Sequence, residues 1–271
     1  MAKSLKFYIK AFRQVFYGVA ILVITALPAR ADEPLSFDKE NPFSPSENAT
    51  TDVDYTLAQA LAEDKLALII MGANWCHDSR ALLKHFGDPD MAVILEQSYQ
   101  TTLVDVGFLE QGKEIITRFG MPVIYGTPTV LIVDPQTGKL LNKGTMFQWR
   151  DAATIDLEDA QVYFRAMSTA ASVAEEDISP GLAALYAEID AFENAQAERI
   201  YGGFEILGPM MALGEDNEPE EFLDYWYEVR DLRYAITDDL ARLRADAKAR
   251  VEAGETDINL EFPAYPAFTW E

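Results

Sequence analysis

The chain has 271 residues, 49% of them apolar, enough to bury a full core and to hold two modest domains. Asp and Glu number 45 against 22 Lys and Arg, a net charge of −23; such a surface repels nucleic acid and anionic lipid, and no basic cluster offsets it. A single cysteine excludes a disulfide within the chain, so stability must come from ordinary packing.

The first 31 residues carry Lys3, Lys6, Lys10, Arg13 and Arg30 and no acid. An apolar stretch from Phe16 to Leu27 follows the basic start and leads to the small-residue end Ala29-Arg30-Ala31. That order predicts a secretory signal peptide, 1–31, cut before Asp32, and export to a bacterial periplasm. The stretch is shorter than the roughly 20 residues a bilayer span needs; an uncleaved N-terminal anchor is the alternative. After cleavage the chain is more acidic still and keeps no stable membrane span. Residues 32–51, rich in Asp, Glu, Pro, Ser and Asn, read as a linker or loosely docked arm.

From Val53 the pattern becomes regular. Tyr55, Leu57, Ala58 and Leu61 suit a short helix, and 66–71 is an apolar run of strand length. Next comes Trp75-Cys76-His77-Asp78-Ser79, opening a helix to Phe86 with Ala81, Leu82 and Phe86 on its inner face. Asp88-Pro89-Asp90 starts a further helix over 91–97. A β-branched strand is predicted at 101–106, a short helix at 113–119 and a strand at 129–133. The turn chemistry of 134–138 leads into a hairpin partner at Leu140-Leu141. Strands alternating with helices and ending in a hairpin predict an α/β structure with a mixed sheet.

The second half changes character. Residues 155–167, 182–200 and 219–251 read as helices. The last puts Phe222, Trp226, Val229, Ile236, Leu240, Leu243 and Ala247 near one stripe, facing Leu182, Leu185, Ile189 and Phe192. These stripes are expected to be core rather than ligand box, in a helical hairpin joined by a loop around Gly208-Pro209. The tail 262–270, with two prolines and several aromatics, is either a strap across a groove or a loose terminus.

Cys76 is the centre of the chemistry. A helix N-terminus favours negative charge and is a setting that activates thiols. An inert, buried cysteine is the alternative, but the place after Trp75 predicts exposure. Metal chemistry finds little support: Cys76, His77 and His85 are too few and poorly spaced for a closed zinc site. Copper, which suits soft thiolate and imidazole, is a minor alternative. A Cys-His-Asp triad fits poorly, because adjacent residues point different ways around a helix.

The segment from Leu68 to Ser79 resembles the strand and Trp-Cys-x-x-Cys element of the thioredoxin superfamily. Tyr125-Gly126-Thr127-Pro128-Thr129-Val130 resembles its second hallmark, whose proline is cis and faces the active cysteine. The resemblance covers about 52–170 and implies a thioredoxin-like mixed sheet flanked by helices; the all-helical region 171–271 resembles no known family. It implies that Cys76 is the nucleophile, that Trp75 shields it, and that Pro128 orients a backbone edge which Thr127 offers to an extended substrate. Ser79 stands in place of the resolving cysteine, and Ile70 in place of a buried acid. The dithiol cycle is thereby removed, leaving monothiol exchange that needs a second thiol from elsewhere. His77 adjusts the charge beside Cys76. The expected catalytic group is thus Cys76, Ser79 and His77, with Trp75, Thr127 and Pro128 binding substrate. The expected partners are protein thiols and disulfides or glutathione mixed disulfides, with no cofactor, no metal and no nucleic acid; the oligomeric state is left open. A non-catalytic thioredoxin-fold binding module is the alternative.

Overall fold

The computed structural model describes residue 37 and residues 40–170 and 178–271. The expected signal peptide 1–31 lies outside the described residues, as do 171–177, where the helical region was expected to begin. Among the described residues a four-stranded sheet runs in the order β2-β1-β3-β4: β1 Leu66–Gly72, β2 Tyr99–Asp105, β3 Thr129–Asp134 and β4 Lys139–Leu140. β1 pairs parallel with β2 from Leu66↔Tyr99 to Gly72↔Asp105, and antiparallel with β3 from Ala67↔Val133 to Met71↔Thr129. The Thr127-Pro128 peptide before β3 is cis, as the resemblance implied. This mixed sheet, with helices on both faces, has the thioredoxin-like topology.

The continuous apolar run of β1 follows from burial on both faces. Ala67, Ile69 and Met71 face α1 (Ala49–Ala62) and α4 (Lys113–Arg118), whereas Leu68 and Ile70 face α2 (His77–Phe86), α3 (Pro89–Ser98) and α5 (Leu157–Ser168). Local chemistry sets the helix starts. Asn48 caps α1 by accepting from the Thr51 amide, and Asp88 caps α3 by accepting from Asp90 and Met91, with Pro89 in the first turn. On α2 the acid Asp78 sits in the first turn and Lys84 and His85 in the last, matching the helix dipole. Its buried face is Ser79, Leu82, Leu83 and Phe86; Ala81, expected inside, is only half-buried.

The segment expected as a linker carries the start of α1 and a firm anchor. Phe43 is buried against α2 and the sheet, its amide donates to Asn74 Oδ1 at 3.0 Å, and Asn74 Nδ2 donates back to its carbonyl at 2.6 Å.

Two long helices, α6 (Pro180–Met211) and α7 (Phe222–Glu252), pack against each other and share a hydrophobic core with the β1 face that meets α1. Residues 52–170, the expected thioredoxin-like domain, and the described residues 178–271 of the expected helical domain fall in the same compact unit. The expected loop at Gly208-Pro209 is a correction: α6 continues through both. Gly208 serves close packing there, since a Cβ would stand 3.2 Å from the Phe108 carbonyl oxygen. The tail is a strap. Phe262 packs on Phe192, Phe268 and Trp270 stack with Tyr225 nearby, and Tyr265 donates to Asp239 at 2.8 Å. No helix among the described residues is long and apolar enough to cross a membrane.

Candidate active site

Cys76 is the N-cap residue of α2, in extended conformation, directly beyond the loop that leaves β1. The Ser79 amide donates to its sulfur at 3.5 Å, and the thiol donates to the Thr127 carbonyl at 3.1 Å. The two sequence hallmarks, 51 residues apart, thus meet at one atom. Contrary to the expected exposure, Cys76 is only 7% exposed. The Thr127 strand end closes one side of it, and α7 brings Trp226 and Arg233 to the cleft that the sulfur lines.

The other expected residues divide clearly. Trp75 donates its indole N–H to the Gly107 carbonyl at 2.7 Å and packs edge-on to Trp226, ring centres 6.2 Å apart. Thr127 and Pro128 are buried beside Cys76. Ser79 is fully buried; its hydroxyl receives the Ala73 amide at 3.4 Å, so its contact with the sulfur runs through its backbone. His77 is exposed at the cleft edge. Asp78 accepts from the Ala153 amide at 2.9 Å, and half-buried His85 bonds the Ile155 carbonyl at 2.9 Å, so neither completes a triad with Cys76. Among the described residues no three His, Cys, Asp or Glu side chains come together as a metal site.

Cys76 opens into a cleft of about 620 Å³, within the range of small-molecule sites. One wall is the thioredoxin-like part, with Trp75, Phe108, Gly126 and Thr127; the other is α7, with Phe222, Trp226 and Tyr234. The expectation that the α7 stripe is core alone is therefore corrected at its N-terminal end. Three arginines, Arg150, Arg230 and Arg233, also line the cleft and were absent from the sequence reading. Arg233 carried a legible signal: it stands four residues after Val229 and three before Ile236, on the buried stripe. Burial pushes its guanidinium down to about 10, the nearby Cys76 and Tyr234 acting in the other direction.

No protein-family model matches the chain, and no curated protein matches it. Among solved structures it is similar to a disulphide isomerase from Xylella fastidiosa Temecula1, with a TM-score of 0.44 and 25% identity over 47% of this chain and 96% of that one.

Proposed function

We infer that the protein is an exported thiol–disulfide exchange protein that works through Cys76 alone. The observation that carries this reading is the setting of the sulfur. It sits at the cap of α2, receives the Ser79 amide, and meets the backbone just before β3 in an open cleft. The thiolate attacks a disulfide of the substrate, a bond forms from Cys76 Sγ to one substrate sulfur, and the other sulfur leaves with the electron pair. With no second cysteine in the chain, an external thiol then attacks the mixed disulfide and restores Cys76. Reduction of glutathione mixed disulfides and shuffling of protein disulfides both fit this two-step exchange. Trp75, Thr127 and Pro128 form the surface on which the substrate sulfur arrives. Ser79 supplies its amide rather than its hydroxyl, and His77 stands at the entrance.

The low exposure of Cys76 favours a second reading, a binding module that keeps the cleft without turnover. Release of glutathione from a glutathionylated peptide, with reduced glutathione as the external thiol, separates the two. The wild type is expected to exceed a Cys76→Ser variant by about tenfold or more. Equal rates would leave only the binding module.

A further inference from the structure

In a chain of net charge −23, three arginines converge on the cleft that holds the sole thiol. Two of them have partners. Arg230 bonds its neighbour Asp231 at 2.7 Å, and Arg150 donates to Thr237 at 3.0 Å and lies 3.5 Å from Asp151. Arg233 differs. It is 4% exposed, its Nε, like that of Arg150, has no hydrogen-bond partner, and among the described residues no carboxylate pairs with it. Aromatic faces lie against it, Trp226 at 5.4 Å and Phe204 at 5.6 Å, and the Cys76 thiol and the Tyr234 hydroxyl are near enough to act on its charge. An unpaired buried charge is costly, and a fold tolerates it where a ligand supplies the counter-charge. Three acids line the cleft, Asp78, Glu215 and Glu218; Asp78 is held by the Ala153 amide, and among the described residues none of the three forms an ion pair with Arg233.

We propose that Arg233, flanked by Arg230 and Arg150, is an anion subsite that receives a carboxylate of the disulfide presented to Cys76. The proposal rests on the exchange reading above and narrows its substrates to carboxylate-bearing thiols and disulfides. Guanidinium groups suit carboxylates because their planar donors bind both oxygens. Trp75, Trp226 and Phe222 give the cleft apolar walls beside the arginines. The acidic surface elsewhere repels such a ligand, so the arginines localise it at the sulfur.

The test reads stoichiometric labelling of Cys76 and needs no turnover, so it stands apart from the glutathione-release assay. Full-length protein is treated with the dianionic disulfide dithiobis(nitrobenzoate) and, separately, with the uncharged dithiodipyridine. In each reaction the Cys76 thiolate gives up its electron pair to a new S–S bond, the reagent disulfide breaks, and the departing aryl thiolate is counted by its absorbance. The ratio of the anionic to the neutral rate cancels changes in thiol reactivity. Arg233→Met is expected to lower that ratio by about tenfold or more, and Arg233→Lys to restore part of it. Arg230→Gln, an outer position, should lower it less. Arg233→Met should also raise the melting temperature, since it removes an uncompensated buried charge. If S-methylglutathione protects against labelling, the carboxylate source is glutathione; if only an acidic peptide protects, the source is a client segment. A ratio unchanged within about twofold in folded Arg233→Met would overturn the proposal. So would failure of both reagents to label the native wild type, because the cleft would then be closed to disulfides.

Discussion

Asp105, the last residue of β2, is a carboxyl group that burial holds above its ordinary ionisation range; Glu110 adds to the effect and the Gly107 amide opposes it. That amide donates to Asp105 Oδ1 at 3.0 Å, and the Gly107 carbonyl in turn holds the indole of Trp75, the residue before Cys76. A pKa raised in the folded state means that the fold prefers the protonated acid. The stability it brings is complete below the unfolded carboxylate range and is lost as pH rises through the folded value. Asp105→Asn imitates the protonated form and keeps an oxygen for Gly107. Its melting temperature should therefore exceed that of the wild type at about pH 7 and match it near pH 3. Thermal melts at the two pH values decide the matter; an equal gain at both would show that charge is not the cause.

At the scale of elements, α6 and α7 meet closely because Gly203 lacks a side chain. A Cβ there would stand 2.5 Å from Cγ2 of the fully buried Val229. Alanine is ordinarily worth about 1 kcal/mol more than glycine inside a helix. The clash acts in the opposite direction, and overpacking of this kind costs about 1–3 kcal/mol. Gly203→Ala should therefore destabilise the protein in denaturant titrations, and Val229→Ala should recover part of the loss in the double variant. Simple stabilisation by Gly203→Ala would mean that the two helices can move apart freely. This interface also marks what was legible in the sequence. β1, α2 and β3 were readable because an apolar run, a cap and a Gly-Thr-Pro-Thr segment are local signals. Gly208-Pro209 was misread as a loop because glycine marks both turns and close packing, and only the nearby Phe108 carbonyl tells them apart. The cleft was illegible for the same reason: Arg233 and Cys76 are far apart in sequence and meet only because α7 docks beside the sulfur.

For the whole molecule, the decisive question is what fastens the helical pair to the sheet. A chain of polar groups, buried at Tyr125 and Glu193 and reaching the surface at Asp190, does so next to the Gly126-Thr127 segment. Tyr125, directly before Gly126, donates to Glu193 of α6 at 3.0 Å; Glu193 accepts from Arg244 of α7 at 2.9 Å, and Arg244 reaches Asp190 at 2.7 Å. Burial and the adjoining Glu193 push the Tyr125 hydroxyl well above its usual range, so it stays a donor. The links are unequal. Tyr125→Phe removes one hydrogen bond and should cost about 1 kcal/mol. Arg244→Met strands the buried Glu193 carboxylate with a single donor and should cost about 3 kcal/mol. Because α6, α7 and one face of the sheet share a core, the loss should appear as one shifted transition, seen alike by far-UV circular dichroism and by tryptophan fluorescence. Adding Glu193→Met to Arg244→Met should return much of the stability, since the stranded charge goes with it. Two separate transitions in Arg244→Met would instead show that the helical pair folds on its own and that the polar chain is only a local contact.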